Sequence, residues 1–468
     1  MASPSASACL GDLTKERERL LAAGHAADLE LDTAERHLAQ LPDDRFASVV
    51  YRRDHDRPYI QPRGGFPTFA KQLALTRAFQ HSAADFIPLT IDSVTRHNDY
   101  ERATSLLRLG TASNRDLLNG YPLVSHGFLR TRELYSGIGR PVSLRHGTPD
   151  ARLLTELALA AGLTEIEGGG ISYTLPYAKE FPLDRALLGW QYVDRLAATS
   201  GPPGRPVHRE SFGPLTATLV PPVVTVVVQL CELLLAAEQG VESFAVGFGQ
   251  SGSLEQDLAT ATVLRNESRA VLDRFGFDGV SVSLVFHQWM GAFPADRGLA
   301  WALIAASAMM ARLVGADKVV TKTAEEAAGV PTIESNVAAV GAVGYVLDML
   351  PGVAPLSNDG VEAEVDLITA EVREVMEHLF ADPAPTWSHS VQRGVLAGTI
   401  DVPFAPHREN QNRLVTERDA ARRIRILDPG GVPLSPESLR RERRELELRP
   451  PPQGPLWERL LQDVRILA

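Results

Sequence analysis

Residues 141–170 read PVSLRHGTPDARLLTELALAAGLTEIEGGG, and this stretch decides the fold. A strand-like run, PVSLRHG, precedes a helical stretch rich in Leu and Ala, and a second strand-like run, TEIEGGG, follows it. Gly162 separates the helix from the second run, at a place where glycine often ends helices. A strand, a helix and a strand within roughly 30 residues indicate a βαβ unit with parallel strands.

The same alternation recurs along the whole chain. Eight strand-like runs precede helical stretches, and they cover residues 58–65, 85–93, 141–147, 164–170, 212–221, 242–250, 281–289 and 317–323. Eight such units form either a closed barrel or an open, doubly wound sheet. The first strand ends in PRGG and lacks the GxGxxG of a Rossmann sheet, and Tyr59 to Lys322 is close to the roughly 250 residues of a barrel. The sequence therefore predicts an α/β fold of the (β/α)8 TIM barrel type.

Two segments flank the predicted barrel, which we assign to residues 57–350. Residues 1–56 are predicted to form an N-terminal helical arm, because residues 13–41 are rich in Leu, Ala, Glu and Arg and contain no proline. Residues 351–468 are predicted to form a C-terminal mixed α/β extension that makes subunit contacts. It should contain a helix over residues 361–380 and a hairpin whose turn is DPGG, residues 428–431. Thr148, Ser253 and Asp296 are predicted N-caps of barrel helices.

Composition narrows the class of protein. The formal net charge of -11 at pH 7 argues against a nucleic-acid-binding surface. The two cysteines, Cys9 and Cys231, are too few for a disulfide framework, which fits a reducing compartment. No apolar run approaches the roughly 20 residues that cross a bilayer. We therefore expect a cytoplasmic protein without nucleic-acid or membrane partners.

Three arginines are predicted to meet at the carboxyl ends of the barrel strands, where barrel active sites lie. Arg63 ends the first strand, Arg96 follows the second, and Arg145 ends the third. A guanidinium pairs bidentately with a carboxylate, so three of them favour a ligand with about two negative charges, a dicarboxylate or a phosphate. The alternative is that each arginine pairs with a carboxylate of the barrel.

Other polar residues collect at the same predicted mouth. Glu167 precedes three glycines and either neutralises the arginines or binds a substrate ammonium, while Tyr173 and Tyr177 either donate hydroxyls or pack at the rim. The sequence has no HExxH or HxH metal motif and no GxSxG nucleophile motif, so we predict no metal site within the chain. The predicted binding site at the carboxyl ends of the strands contains no obvious reactive group, which suggests that a cofactor supplies the chemistry.

Several long motifs resemble one family. They are IDSVTRHNDY (91–100), LNGYPLVSHG (118–127), LRHGTPDARLL (144–154), EGGGISYTLPYAK (167–179), FGPLTATLVPP (212–222), GFGQSG (247–252), VFHQWMGAFP (285–294), KTAEEAAGVPT (322–332) and GTIDVPFAP (398–406). They resemble the epsilon subunit of glutamate mutase, also called methylaspartate mutase, over about residues 55–430. The resemblance implies a TIM barrel that uses adenosylcobalamin to interconvert L-glutamate and (2S,3S)-3-methylaspartate by a radical rearrangement.

The resemblance also implies roles for individual residues. The substrate contacts that it implies are Arg63, Arg96, Arg145, His146, Glu167, Tyr173 and Tyr177, with Glu167 holding the ammonium as the catalytic group. The cofactor contacts that it implies are Gly65, Asn119, Pro176, Phe293, Lys322, Glu326 and Val330. The family's lower cobalt ligand comes from the DxHxxG motif of a separate sigma subunit, and this chain has no such motif.

The partners implied are therefore a small cobalamin-binding sigma subunit and a second copy of this chain, in a sigma2-epsilon2 heterotetramer. The stretch after GFGQ and the residues beyond about 430 do not match the family pattern, which leaves the fit to partner and cofactor open. Two alternatives remain at this point. One is a related cobalamin-dependent mutase for another amino dicarboxylate, and the other is a dicarboxylate-binding barrel without catalytic activity.

Overall fold

The computed structural model describes residues 13–22, 26, 28–213, 218–448 and 454–468 of the 468-residue chain. Cys9 and part of the predicted fifth strand therefore lie outside the described residues. Among the described residues, no helix is both long and apolar enough to cross a membrane.

Eight parallel strands form the centre of the molecule. They are β1 (Tyr59–Gln61), β2 (Ile87–Thr90), β3 (Val142–Arg145), β4 (Glu165–Glu167), β5 (His208–Glu210), β6 (Ser243–Gly249), β7 (Ser281–His287) and β8 (Lys318–Val320). Their order in the sheet is β1-β8-β7-β6-β5-β4-β3-β2, and each neighbouring pair is parallel. Backbone hydrogen bonds from Asp85 N to Ile60 O (2.8 Å) and from Thr90 N to Gly64 O (3.1 Å) join the two ends of the sheet. The predicted (β/α)8 barrel is confirmed.

Helices alternate with the strands around the barrel. Before and within it lie α1 (Leu13–Ala22), α2 (Thr33–Leu38), α3 (Ala47–Tyr51), α4 (Phe69–Gln80), α5 (Ser93–Arg96), α6 (Tyr100–Ser113), α7 (Leu123–Leu134), α8 (Arg152–Ala160), α9 (Thr174–Tyr177), α10 (Leu183–Ser200), α11 (Pro222–Glu238), α12 (Leu254–Phe275), α13 (Arg297–Leu313) and α14 (Ile333–Asp348). Beyond them lie α15 (Asp359–Leu379), α16 (Trp387–Ala397), the antiparallel strands β9 (Val415–Arg418) and β10 (Ile424–Asp428), α17 (Pro436–Glu447) and α18 (Leu456–Val464). The apolar core lies mainly between the helices and the outer faces of the strands.

The predicted position of the fifth strand is wrong. Residues 212–221 were expected to form it, but β5 is His208–Glu210, and the described part of 212–221 contains no strand. This strand has no apolar residue pattern. His208 and Glu210 face the polar interior of the barrel, and Arg209 pairs with Asp194 of α10 on the outer side.

The predicted helix and turn signals have mixed outcomes. Asp296 caps α13 by accepting from Leu299 N at 2.9 Å, as predicted. Ser253 precedes α12, but its side chain makes no capping hydrogen bond. The prediction for Thr148 is wrong, because α8 begins only at Arg152, and the Thr148 N–H instead donates to the ring of His146. The hairpin turn is wrong as well: the chain reverses between β9 and β10, before DPGG.

Candidate active site

The carboxyl ends of β1 to β5 surround a cavity of about 240 Å³, which we call the first cavity. All seven residues predicted to contact the substrate line it: Arg63, Arg96, Arg145, His146, Glu167, Tyr173 and Tyr177. They come from the first four strands and from the segments that directly follow those strands. The structure therefore brings the predicted substrate residues together.

The three arginines differ in how they are paired. Arg145 is buried and donates to Glu167 Oε1 (2.8 Å) and Glu210 Oε1 (3.0 Å), so the barrel already supplies it with two carboxylates. Burial acts to lower the pKa of Arg145, but Glu167 and Glu210 raise it above the ordinary value. Among the described residues, no ion pair joins Arg63 or Arg96 to a carboxylate; Arg96 donates its Nε to Ile91 O at 2.8 Å. Two guanidinium forks thus remain for an anionic ligand.

Glu167 lies between Arg145 and Tyr173. Its Oε1 accepts from Arg145 Nη2, and its Oε2 accepts from the Tyr173 hydroxyl. Burial raises the pKa of Glu167 above its ordinary value, although Arg145 opposes the shift. A carboxylate with a raised pKa, fixed by two donors at the wall of a cavity, can bind an ammonium and share its proton.

The ring of His146 is neutral and has a defined tautomer. Its Nδ1 accepts from Thr148 N at 3.1 Å, so the proton of the neutral ring is on Nε2. Burial, together with Arg96, holds the pKa of His146 well below its ordinary value. The ring stacks on Trp190 with centroids 5.7 Å apart, and its Nε2 has no hydrogen-bond partner among the described residues. Because His146 lines the first cavity, this N–H is a donor available to a ligand.

The glycine loop after β4, residues 168–170, is held from behind by Glu232 of α11. The Glu232 carboxylate accepts from Ile171 N (2.9 Å), Ser172 N (2.8 Å) and the hydroxyls of Ser172 (3.0 Å) and Ser211. A Cβ at Gly169 would overlap this carboxylate, and Gly168 has a φ of 121°. The loop that follows Glu167 and leads to Tyr173 therefore requires glycine.

A second cavity of about 240 Å³ adjoins the first, because Arg63, Thr90 and Arg96 line both. Four of the predicted cofactor residues line this second cavity: Gly65, Asn119, Glu326 and Val330. Lys322 is buried beside it and donates to Glu326 Oε2 at 2.8 Å, and burial lowers the pKa of Lys322 to about 8. Pro176 and Phe293 are half-buried and line neither cavity.

Sequence comparison connects this geometry with known proteins. The family model for the methylaspartate mutase E chain (MutE) matches residues 41–454. The chain belongs to this family. Proteins named glutamate mutase epsilon subunit match it from Treponema denticola (38% identity, 94% of this chain and 91% of the relative) and Yersinia enterocolitica (37%, 98% and 96%). Another, from Escherichia coli O157:H7, is 40% identical over 84% of this chain and 82% of its own length. The chain is thus an isomerase of the methylaspartate mutase type.

Sequence reasoning missed part of the lining of the first cavity in this member of the methylaspartate mutase family. The first cavity is also lined by Thr90, Ser93, His97, Gly147, Phe212 and Met290. Met290 and Phe212 lie within motifs already noted, VFHQWMGAFP and FGPLTATLVPP, so position within a motif was the available signal. No sequence motif indicated the hydrogen-bond partners of Arg145 and Glu232, because these contacts join residues that are distant in sequence.

Proposed function

We propose that this chain is the catalytic epsilon subunit of an adenosylcobalamin-dependent glutamate mutase. It would interconvert L-glutamate and (2S,3S)-3-methylaspartate with a separate cobalamin-binding sigma subunit, in the cytoplasm, as a sigma2-epsilon2 assembly. The observation that carries the proposal is the first cavity, in which two free guanidinium forks face a carboxylate fixed by Arg145 and Tyr173. The relatives named glutamate mutase epsilon subunit support it.

The arginines bind the two carboxylates of the substrate. Arg63 and Arg96 have no carboxylate partner among the described residues and supply bidentate donors, which favours two carboxylates over a neutral side chain. The His146 Nε2–H adds an uncharged hydrogen-bond donor. Arg145 keeps its hydrogen bonds to Glu167 and Glu210 and contributes a positive charge to the cavity. Binding at both ends fixes the carbon skeleton and confines reactive fragments in the cavity.

Glu167 binds the substrate ammonium. Burial raises the pKa of Glu167, which favours sharing of an ammonium proton, and the Tyr173 hydroxyl fixes the orientation of the carboxylate. Tyr177 also lines the cavity, with its ring centroid 6.2 Å from that of Tyr173 and the two ring planes at 72°. Glu167 is therefore the residue that we propose acts on the proton, while the arginines only bind.

The residues of the second cavity fit an adenosyl group. Glu326 accepts hydrogen bonds and Lys322 donates them, which suits adjacent ribose hydroxyls, and the buried Thr323 hydroxyl of this cavity has no partner among the described residues. Val330, which lines the same cavity as Glu326, would also lie beside the adenosyl group, whereas Gly65, Asn119, Pro176 and Phe293 would lie at the corrin face. When bound, adenosylcobalamin supplies a carbon-centred radical through homolysis of its cobalt–carbon bond. Arg63 and Arg96 lie between the two cavities, so the chain holds the substrate beside the radical source.

A reconstitution experiment tests the proposed function. The purified chain is mixed with a sigma-type subunit, adenosylcobalamin and L-glutamate under anaerobic conditions, and 3-methylaspartate is measured by NMR and mass spectrometry. We expect product only when all components are present, and none from a Glu167→Gln variant. Cobalamin capture without product from L-glutamate would instead indicate a mutase for another amino dicarboxylate. Binding of L-glutamate without capture or turnover would indicate a non-catalytic binding barrel.

A further inference from the structure

Below Arg145 the barrel contains a buried charged cluster formed by Glu165, Glu210 and Lys318, which we call the interior network. All three residues have relative exposures of 0%. Lys318 Nζ donates to Glu210 Oε2 at 2.5 Å and to Glu165 Oε1. Bulky branched side chains such as Val, Ile and Leu usually dominate barrel interiors, and burying charges costs free energy unless they are paired. Packing of the barrel interior therefore does not by itself account for three buried charged side chains.

Glu210 connects the interior network with the substrate cavity. Its Oε1 accepts from Arg145 Nη1 at 3.0 Å, while its Oε2 accepts from Lys318. Burial alone would favour the neutral acid, but Lys318 and Arg145 outweigh it and hold the pKa of Glu210 well below the ordinary value. Glu210 is thus an ionised acceptor on one side of the Arg145 guanidinium, and Glu167 is an acceptor on the other.

We propose that Glu210 is a positioning residue for substrate recognition, which fixes the Arg145 guanidinium so that Glu167 remains available to the substrate ammonium. This inference rests on the proposed function, in which Glu167 binds the ammonium. Arg145 now gives one terminal nitrogen to each carboxylate. Without an acceptor at position 210, its planar fork would turn to Glu167 and occupy both carboxylate oxygens. That bidentate pair would neutralise Glu167 and compete with the ammonium.

Two double variants separate this positioning role from a structural one. E210Q/K318M removes both buried charges but keeps an amide oxygen that can accept from Arg145. E210L/K318M removes the same charges and the acceptor together. Replacing both members of a buried ion pair by uncharged side chains avoids one unpaired charge. Glu165 also loses its Lys318 partner, but burial already raises the pKa of Glu165 to about 8, so this carboxyl can be protonated and both variants are designed to fold. The matched control is R17M/E156Q, which replaces the arginine and the carboxylate of a buried pair between α1 and α8 (2.7 Å) by Met and Gln, away from the first cavity.

Two measurements are made on each variant: the KM for L-glutamate in the reconstituted complex, and the crystal structure of the chain. We expect E210Q/K318M and the control to keep KM within about fivefold of the parent, and E210L/K318M to raise it at least tenfold. Arg145 should turn toward Glu167 only in E210L/K318M. Equal KM values for the two double variants, or an unmoved Arg145 in E210L/K318M, would overturn the proposal.

The two readouts also separate this proposal from the proposed function. If the parent complex does not act on L-glutamate, the proposed function fails, whereas the crystal structures still decide whether Glu210 fixes Arg145. If E210L/K318M does not fold, the single variant E210Q replaces it, since there Lys318 and Arg145 compete for one amide oxygen. Its KM should exceed that of E210Q/K318M at least threefold, and equal values would overturn the proposal.

Discussion

At the scale of single residues, the site combines side chains that are fixed by hydrogen bonds within the protein with charged side chains that have no carboxylate partner among the described residues. Arg145, Glu167 and Tyr173 form a continuous chain of hydrogen bonds within the protein. Arg63 and Arg96, in contrast, have no carboxylate partner among the described residues. The fixed group is therefore suited to orienting the ammonium, and the two free forks are suited to binding carboxylates.

Replacing Arg96 with Lys keeps the charge but removes the fork. Hydrogen bonds to charged groups contribute about 1.5–3 kcal/mol, so we expect kcat/KM for L-glutamate to fall roughly 10- to 100-fold. Steady-state kinetics of the reconstituted complex would measure it, with the exposed Arg77→Lys on α4 as the control. A change of less than threefold at Arg96 would contradict its assignment as a substrate contact.

Replacing Tyr173 with Phe removes the hydroxyl that donates to Glu167. Burial already raises the pKa of Glu167, and the Tyr173 hydrogen bond opposes that rise. We expect the acidic limb of the kcat/KM profile to move up by roughly one pH unit, because one hydrogen bond is equivalent to about one pKa unit. Tyr192→Phe is the control, since Tyr192 donates to Glu156 at 2.5 Å between two helices of the barrel and neither residue lines the first cavity. Superimposable profiles for Tyr173→Phe and the parent would disprove this role of the hydroxyl.

At the scale of elements, sequence periodicity predicts strands only where one face is apolar. It located seven of the eight strands, because their runs contain β-branched or apolar residues such as those of VSLR and SFAVGFG. It missed β5, whose inward Glu210 is paired with charges from β3 and β8. The mouth residues were predictable because each follows a recognisable strand. The partners Glu210 and Glu232 were not, because only the closed barrel brings them to the site.

The start of α12 gives a pH-dependent contribution to stability. Asp257 Oδ1 accepts from Ser251 N at 2.8 Å, and burial raises the Asp257 pKa from 3.8 to about 7, although its Ser251 hydrogen bonds oppose the shift. Between these values the folded chain binds more protons than the unfolded chain, so the free energy of unfolding decreases as the pH rises from about 4 to 7.

Asp257→Asn removes this titration while its amide oxygen can still accept from Ser251 N. We expect the Tm of the parent to decrease more than that of Asp257→Asn between pH 5 and pH 8, so that the variant gains several degrees relative to the parent at pH 8. Differential scanning calorimetry across this range measures the effect. Parallel Tm curves for the two proteins would contradict it.

At the scale of the whole molecule, the residues after the barrel contact loops at the mouth. Thr416 donates to Leu219 O at 2.7 Å, His407 Nε2 lies 2.7 Å from Phe181 O, and Gln256 exchanges hydrogen bonds with the backbone of Ile424. Arg418 donates to Ser251 O at 2.7 Å and also contacts Asp463 of α18. These contacts connect the C-terminal residues to the loops after β4, β5 and β6.

Deleting residues 454–468 tests that connection. Arg418 N would lose Asp463 Oδ2 (2.9 Å), and its buried Nε would lose Asp463 O (3.0 Å). Lost acceptors for buried donors cost about 1–3 kcal/mol each, so we expect the Tm to fall by several degrees. The Asp463→Asn variant, which keeps both oxygens, should show a smaller decrease. A deletion with the parent's Tm would show that α18 does not stabilise the mouth loops.

The contact between Gly169 and Glu232 has a consequence for engineering the substrate range. A saturation library that includes position 169 would consist mainly of destabilised proteins, because any side chain there would displace a carboxylate that already accepts four hydrogen bonds. Thr90, Phe212 and Met290 line the first cavity and take no part in the contact between Gly169 and Glu232. Directed evolution toward longer or branched amino diacids should therefore diversify these three positions and leave 169 and 232 unchanged.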